Sequence, residues 1–178
     1  MATDCSSKTV AATRVKPQEE ANSCGVFVCG KPVLFRPMTK DDLDEVMAIE
    51  RSAYRYPWSS GFFLQELQVT CARSILAELD SRICGYVLFW LLPGSIDVHN
   101  LAIAPEFRRL GIARMLMRQV MAAAGSQSAT RVTLEVRQSN EAAKKLYASL
   151  GFVQTGLRKG YYSDDGEDAF TMALELEA

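Results

Sequence analysis

The stretch Asn100-Leu-Ala-Ile-Ala-Pro-Glu-Phe-Arg-Arg-Leu-Gly-Ile-Ala-Arg114 joins three signals. Its first residues continue a strand-like run, Ile96–Ile103, which Pro105 stops. From Gly111 onward apolar residues recur with a helical period at Ile112, Met115, Leu116, Val120 and Met121. A strand that passes through a short loop into a helix aims the helix's unpaired N–H groups and partial positive charge at whatever lies in front of the loop. Arg108, Arg109 and Arg114 add full charge there, so the stretch is a candidate anion site. The plain alternative is a solvated basic turn ahead of an ordinary helix.

Reading outward from this stretch gives an α/β domain. On its N-terminal side, Val33–Arg36 begins a strand that Pro37 ends, and Thr39 with Asp42 forms a capping-box-like start for a helix carrying Leu43, Val46 and Met47. Pro57 breaks that helix, and Ser59 or Ser60 can cap a second one with Phe62, Phe63 and Leu67. Three strand-like runs follow, Ser74–Leu79, Ile83–Leu91 and Ile96–Ile103, with turns at Asp80-Ser81-Arg82 and Pro93-Gly94. On the C-terminal side, Gly125 is the expected stop of the helix, and Val132–Val136 alternates as a strand. Ser139-Asn140 then opens a helix with Ala142, Ala143, Leu146, Tyr147 and Leu150 on one face, ended by Gly151. Two last strands, Phe152–Leu157 and Ala169–Leu176, flank an acidic turn. The order β-α-α-β-β-β-α-β-α-β-β predicts a single domain with a mixed sheet flanked by helices, without internal repeats.

The 178 residues suit one domain, and 48% hydrophobic against 23% charged residues is the balance of a folded soluble chain. Twenty Lys+Arg against 21 Asp+Glu give a net charge of −1, so no global basic field exists for gripping nucleic acid. The longest apolar run, Tyr86–Leu92, falls far short of the roughly 18 residues of a membrane helix, and no membrane association is expected. Five cysteines at irregular spacing make a poor disulfide framework and suit a reduced, cytoplasmic protein. Cys24 and Cys29 have no second ligand pair to complete a metal site, so no metal is expected. Residues 1–32 lack a sustained period and are expected to form a disordered N-terminal extension, leaving 33–178 as the domain.

Arg108-x-x-Gly111-x-Ala113 resembles the acetyl-CoA pyrophosphate loop of the GNAT acetyltransferase superfamily. More of the chain is similar to the RimI subgroup of that superfamily: Tyr56-Pro-Trp-Ser59, Asn100-Leu-Ala-Ile103, Leu134-Glu-Val-Arg137, Ser139-Asn140, Leu146–Phe152, Tyr161-Tyr162 and Asp164–Asp168, in this order. The resemblance spans about residues 33–176. It implies a GNAT-like fold with a mixed, mostly antiparallel sheet, acetyl-CoA as co-substrate, and a ribosomal-protein N-terminus as acceptor. It implies that Leu101, Ala102 and Ile103 pair with the pantetheine arm, that Arg109, Leu110, Gly111, Ile112, Ala113 and Arg114 wrap the pyrophosphate, and that Asn140 contacts the cofactor.

Acetyl transfer to an amine needs a neutral nucleophile, and an α-amine with a pKa of roughly 7.7–8.0 is largely protonated near neutrality. A carboxylate can take that proton. Strand alternation sets Thr133, Glu135 and Arg137 opposite Val132, Leu134 and Val136, and the resemblance implies that Glu135 is the proton acceptor. Its other reading is a surface carboxylate paired with Arg137 or Arg131. Tyr147 lies two helical turns beyond Asn140, and the resemblance implies that it protonates the departing thiolate; otherwise it is a core aromatic. Asn140 can equally be a helix cap. His99 is expected to share a face with Asp97 and Leu101, and Cys84 to be a buried small residue. Tyr161, Tyr162 and Trp58 are candidate acceptor-binding residues, on the expectation that a mobile hairpin places the tyrosines on the peptide backbone while Asp164–Asp168 attract a basic acceptor tail. Two other readings stay open: a GNAT enzyme acting on a lysine side chain or small amine, and a non-catalytic acetyl-CoA-sensing module, which needs neither Glu135 nor Tyr147.

Overall fold

The computed structural model describes residues 26–28, 30–126 and 128–176. Eight strands form one sheet: β1 (Val26–Val28), β2 (Lys31–Pro37), β3 (Ala72–Leu79), β4 (Arg82–Leu92), β5 (Ser95–Ile103), β6 (Arg131–Arg137), β7 (Val153–Arg158) and β8 (Ala169–Glu175). Their order is β1-β2-β3-β4-β5-β6-β8-β7, and β5–β6 is the parallel pair among antiparallel neighbours. Pairing of β1 with β2 starts the sheet N-terminal to the boundary expected at residue 33. Residues 1–25, most of the expected extension, lie outside the described residues, as do Cys24 and Cys29.

Four helices cover the sheet: α1 (Leu43–Ala53), α2 (Ser60–Glu66), α3 (Ile112–Ser126) and α4 (Glu141–Ala148). The local signals act as the sequence suggests. Ser59 Oγ accepts from Phe62 N at 3.2 Å to cap α2, and Asn140 Oδ1 accepts from Ala143 N at 3.1 Å to cap α4. Gly125 does not stop α3, which runs to Ser126. Leu43, Val46, Ile49 and Phe63 bury against one sheet face, while Ile112, Leu116, Val120 and Tyr147 bury against the other.

A bulge decides how β5 faces these two layers. Phe89 pairs with Val98 but Leu88 pairs with Asn100, so His99 is an extra residue in the ladder. Before it, Ile96 and Val98 belong to the core under α3; after it, Leu101 and Ile103 pack there, while Ala102 joins the core under α1. Simple alternation fails across this point. His99 therefore does not share a face with Leu101; it is exposed and packs on Trp90, with ring centroids 4.6 Å apart.

The same strand opens the sheet. The β5–β6 ladder ends at Val98↔Leu134, although β5 runs on to Ile103 and β6 to Arg137. Beyond that pair the two strands part, and one edge of β5 faces a gap.

Candidate active site

A cleft of about 650 Å³ occupies this gap and is walled by β5, the loop into α3, and α4. It brings together Leu101, Ala102, Ile103, Arg109, Gly111, Ile112, Ala113, Arg114, Asn140 and Tyr147. Leu110 is half-buried and packs against the core beneath the loop instead of lining the cleft. Ala102 is buried with its carbonyl toward Gly85 on β4, so the open edge consists of Leu101 and Ile103. Their carbonyls already have side-chain partners. Tyr54 donates to Leu101 O at 2.8 Å and Arg108 donates to Ile103 O at 3.2 Å.

The loop's backbone is shaped for an anion. Arg109 and Gly111 both have positive φ, 64° and 81°. At Gly111 a Cβ would meet only Met115 Cε at 3.9 Å, so glycine serves the turn's conformation, not a shortage of space. This turn delivers the first N–H groups of α3, which have no partner inside the helix, to the cleft. Arg114 stands beside them, its guanidinium donating to Ser149 Oγ at 2.8 Å. An open strand edge leading to a positively charged nest fits a ligand with an amide-bearing arm and a pyrophosphate, which is the chemistry of coenzyme A. Asn140 lines the cleft and caps α4 at once.

Tyr147 is buried, and that burial first, with Tyr162 second, pushes its hydroxyl above the ordinary phenol range. It therefore stays protonated, as a proton donor must. Tyr54 lies beside it: burial, then Tyr147 and Glu50, raise its pKa also. Glu50 is a buried carboxylate that accepts from Trp58 N at 2.8 Å, from Asn100 Nδ2 and from the Tyr86 hydroxyl. It ties the segment between α1 and α2 to the sheet. Trp58 N is held in this anchor, and its half-buried ring packs on Phe62 and Phe63 at 5.0 and 5.8 Å, outside the lining of the cleft.

Glu135 sits on the β6 face away from the α3 core and pairs with Arg158 of β7 at 2.9 Å. Neither Arg137 nor Arg131 is its partner. Arg131 pairs with Glu175, and Arg137 holds Asp164, Asp165 and Glu167 together while stacking on Tyr162 at 3.8 Å. This clasp ties the acidic turn to β6. One guanidinium offsets only one of these three negative charges, so the turn keeps an excess of negative charge, and Asp168 accepts from Gly160 N. The clasp fixes Tyr162, whose hydroxyl burial raises to about 12, and Tyr161 packs edge-on against it at 5.1 Å under Arg158. Glu135 influences both tyrosines, so base candidate and hairpin form one neighbourhood.

Cys84 is buried, and burial pushes its thiol up to about 11, which suits no nucleophile. Among the described residues no His, Cys, Asp or Glu cluster could hold a metal, and no helix is long and apolar enough to cross a membrane. Sequence reading missed Tyr54, Lys145, Ser149 and Phe107 in the cleft wall and Arg158 at Glu135. For Lys145 and Ser149 helical periodicity gave no signal, since each stands two residues, about 200° around the helix, from Tyr147.

Residues 43–152 match the acetyltransferase (GNAT) family model. A Bacillus subtilis protein provisionally named ribosomal protein bS18-alanine N-acetyltransferase is 36% identical over 142 residues, covering 79% of this chain and 94% of that one. The Salmonella typhimurium protein named ribosomal protein bS18-alanine N-acetyltransferase is 31% identical over 141 residues, covering 78% and 95%. The crystal structure of the Escherichia coli ribosomal-protein-S18-alanine N-acetyltransferase superposes with a TM-score of 0.76 at 28% identity, covering 82% of this chain and 95% of that one.

Proposed function

The chain belongs to the GNAT acetyltransferase family, in its RimI-like branch, and from that premise we propose that it acetylates the α-amine of a protein N-terminus, the N-terminal alanine of ribosomal protein bS18, in the cytoplasm. The observation that carries the reading is the parted β5–β6 pair: its cleft runs from the anion nest at Gly111 to Tyr147, with Glu135 and the clasped hairpin on the neighbouring strands. The relatives' shared acceptor supports the choice of bS18.

Acetyl-CoA supplies an activated acyl group. The chain's own residues do the rest. The α3 N-terminal N–H groups and Arg114 hold the pyrophosphate, and the edge of β5 at Leu101 and Ile103 orients the pantetheine arm. Glu135 removes the proton from the incoming α-ammonium, directly or through one water, a step worth about 10²–10⁴-fold. Arg158 occupies Oε1, leaving Oε2 to accept. The neutral amine bonds to the acetyl carbon as the carbon–sulfur bond breaks, and Tyr147 gives its proton to the departing sulfur. The surplus proton of the acylated nitrogen restores the Tyr147 hydroxyl. No acyl-enzyme is needed, so a buried Cys84 is no obstacle.

Release of free thiol from acetyl-CoA tests this reading. A peptide starting Ala-Arg with a free N-terminus should stimulate release, and the same peptide blocked at its N-terminus should not. Equal stimulation by both would refute α-amine transfer, and no binding of coenzyme A would refute the enzyme reading.

A further inference from the structure

The cations around the cleft differ in what they already hold. Arg108 is committed within the protein, donating to Ile103 O at 3.2 Å and Ser52 O at 3.5 Å. Arg114 bridges the start of α3 to the end of α4 through Ser149 O at 3.4 Å and Ser149 Oγ at 2.8 Å. Lys145 lines the same cleft, is exposed, and makes no ion pair among the described residues. The nearby carboxylate that could have taken it, Glu141, is held by Lys144 at 2.6 Å. Lys145 precedes Ser149 by four residues, so the two share one stripe of α4, and the Lys145 ammonium belongs to the side of that helix that Arg114 reaches.

Coenzyme A carries more anion than the α3 nest can neutralise. Its pyrophosphate suits backbone N–H groups, but a third phosphoryl group, a monoester on the ribose 3′ oxygen, carries close to two charges at pH 7 and lies at the end of the molecule remote from the thiol. Tyr147 and the Gly111 nest line the same cleft as Lys145. A monoester dianion can be met by a lysine ammonium acting as a point charge and by an arginine fork, and Lys145 and Arg114 supply one of each.

We propose that Lys145, with Arg114 beside it, forms the subsite for the 3′-phosphate of coenzyme A, so that this chain distinguishes the coenzyme from its 3′-dephospho form. The inference rests on the acetyl-CoA reading above. Because Lys145 is exposed, its share is that of a solvent-accessible ion pair, about fivefold in affinity, and it fades as salt rises.

Calorimetric titration with coenzyme A and with 3′-dephospho-coenzyme A, without peptide, reads this out as binding. The native protein should bind coenzyme A at least about fivefold more tightly than the dephospho form. Lys145→Met should weaken coenzyme A by about that factor, leave the dephospho form within about twofold, and so erase most of the discrimination. Lys144→Met, which removes an ammonium already held by Glu141 and the Gln138 carbonyl, should change neither. Equal weakening of both ligands by Lys145→Met, or of neither, overturns the subsite. Failure of the native protein to bind either ligand overturns the acetyl-CoA reading itself and the subsite with it.

Discussion

Replacing Arg137 with methionine removes one cation from three carboxylates while keeping an unbranched stem to fill its space. The Arg137 side chain is 25% exposed, and its partners Asp164, Asp165 and Glu167 are 14%, 34% and 21% exposed. The partly solvated pairs with Asp164 and Glu167 contribute about 0.3–1 kcal/mol each. The stack on Tyr162 at 3.8 Å adds about 0.5–1 kcal/mol. Together they hold the hairpin by roughly 1–3 kcal/mol, and without the cation the three carboxylates repel one another. Arg137 takes no part in the cofactor cleft, so the loss should appear in acceptor binding alone. Steady-state kinetics with an N-terminal-alanine peptide should give an acceptor KM raised about tenfold or more, while calorimetry gives a coenzyme A Kd within about twofold of native. High salt should narrow the difference, since these pairs are partly solvated. An unchanged acceptor KM, or a coenzyme A affinity that falls in step with it, would refute the claim that the clasp positions Tyr161 and Tyr162.

Glu135→Gln and Tyr147→Phe should each lower kcat by about 10²-fold or more with coenzyme A affinity intact; native turnover in either variant removes that residue from the chemistry. Gly111→Glu forces a side chain into φ 81°, at about 1–2 kcal/mol, and sets an anion in the phosphate nest, so coenzyme A affinity should fall more than about tenfold by calorimetry. The hydrogen bond from Arg36 holds the Asp42 carboxyl well below the usual carboxylate range. Its folded-state pKa therefore lies below the unfolded value of about 3.9, so the pair's stabilisation is complete above that value and is lost as pH falls toward the folded one. Asp42→Asn should melt lower than native at pH 7, and the gap should close as pH drops through 4 toward 2; a constant gap contradicts the linkage.

What the sequence made legible was local. The caps at Ser59 and Asn140, the period of Ile112–Val120 and the alternation of Val132–Val136 each depend on residues a few positions apart. The strand–loop–helix turn at Gly111 was readable for the same reason, because its glycine, its arginines and the helix it opens are contiguous. Arg137 and Glu167, Glu135 and Arg158, and Tyr54 and Leu101 are brought together only by sheet order, and such pairs leave no mark on local periodicity. The bulge at His99 is the sharpest case. One extra residue reverses which side chains of β5 face which layer, and no composition rule announces it. The same limit explains the acidic turn: its charges were visible, but the guanidinium that ties three of them together lies on another strand.

The central claim is transfer to an α-nitrogen. Its most direct measurement is tandem mass spectrometry on a peptide that begins with a free Ala-Arg and also carries an internal lysine, after incubation with the protein and acetyl-CoA. The account predicts one acetyl group, located on the N-terminal fragment and lost with Glu135→Gln. An acetyl group on the lysine side chain, with the α-amine left free, would contradict it.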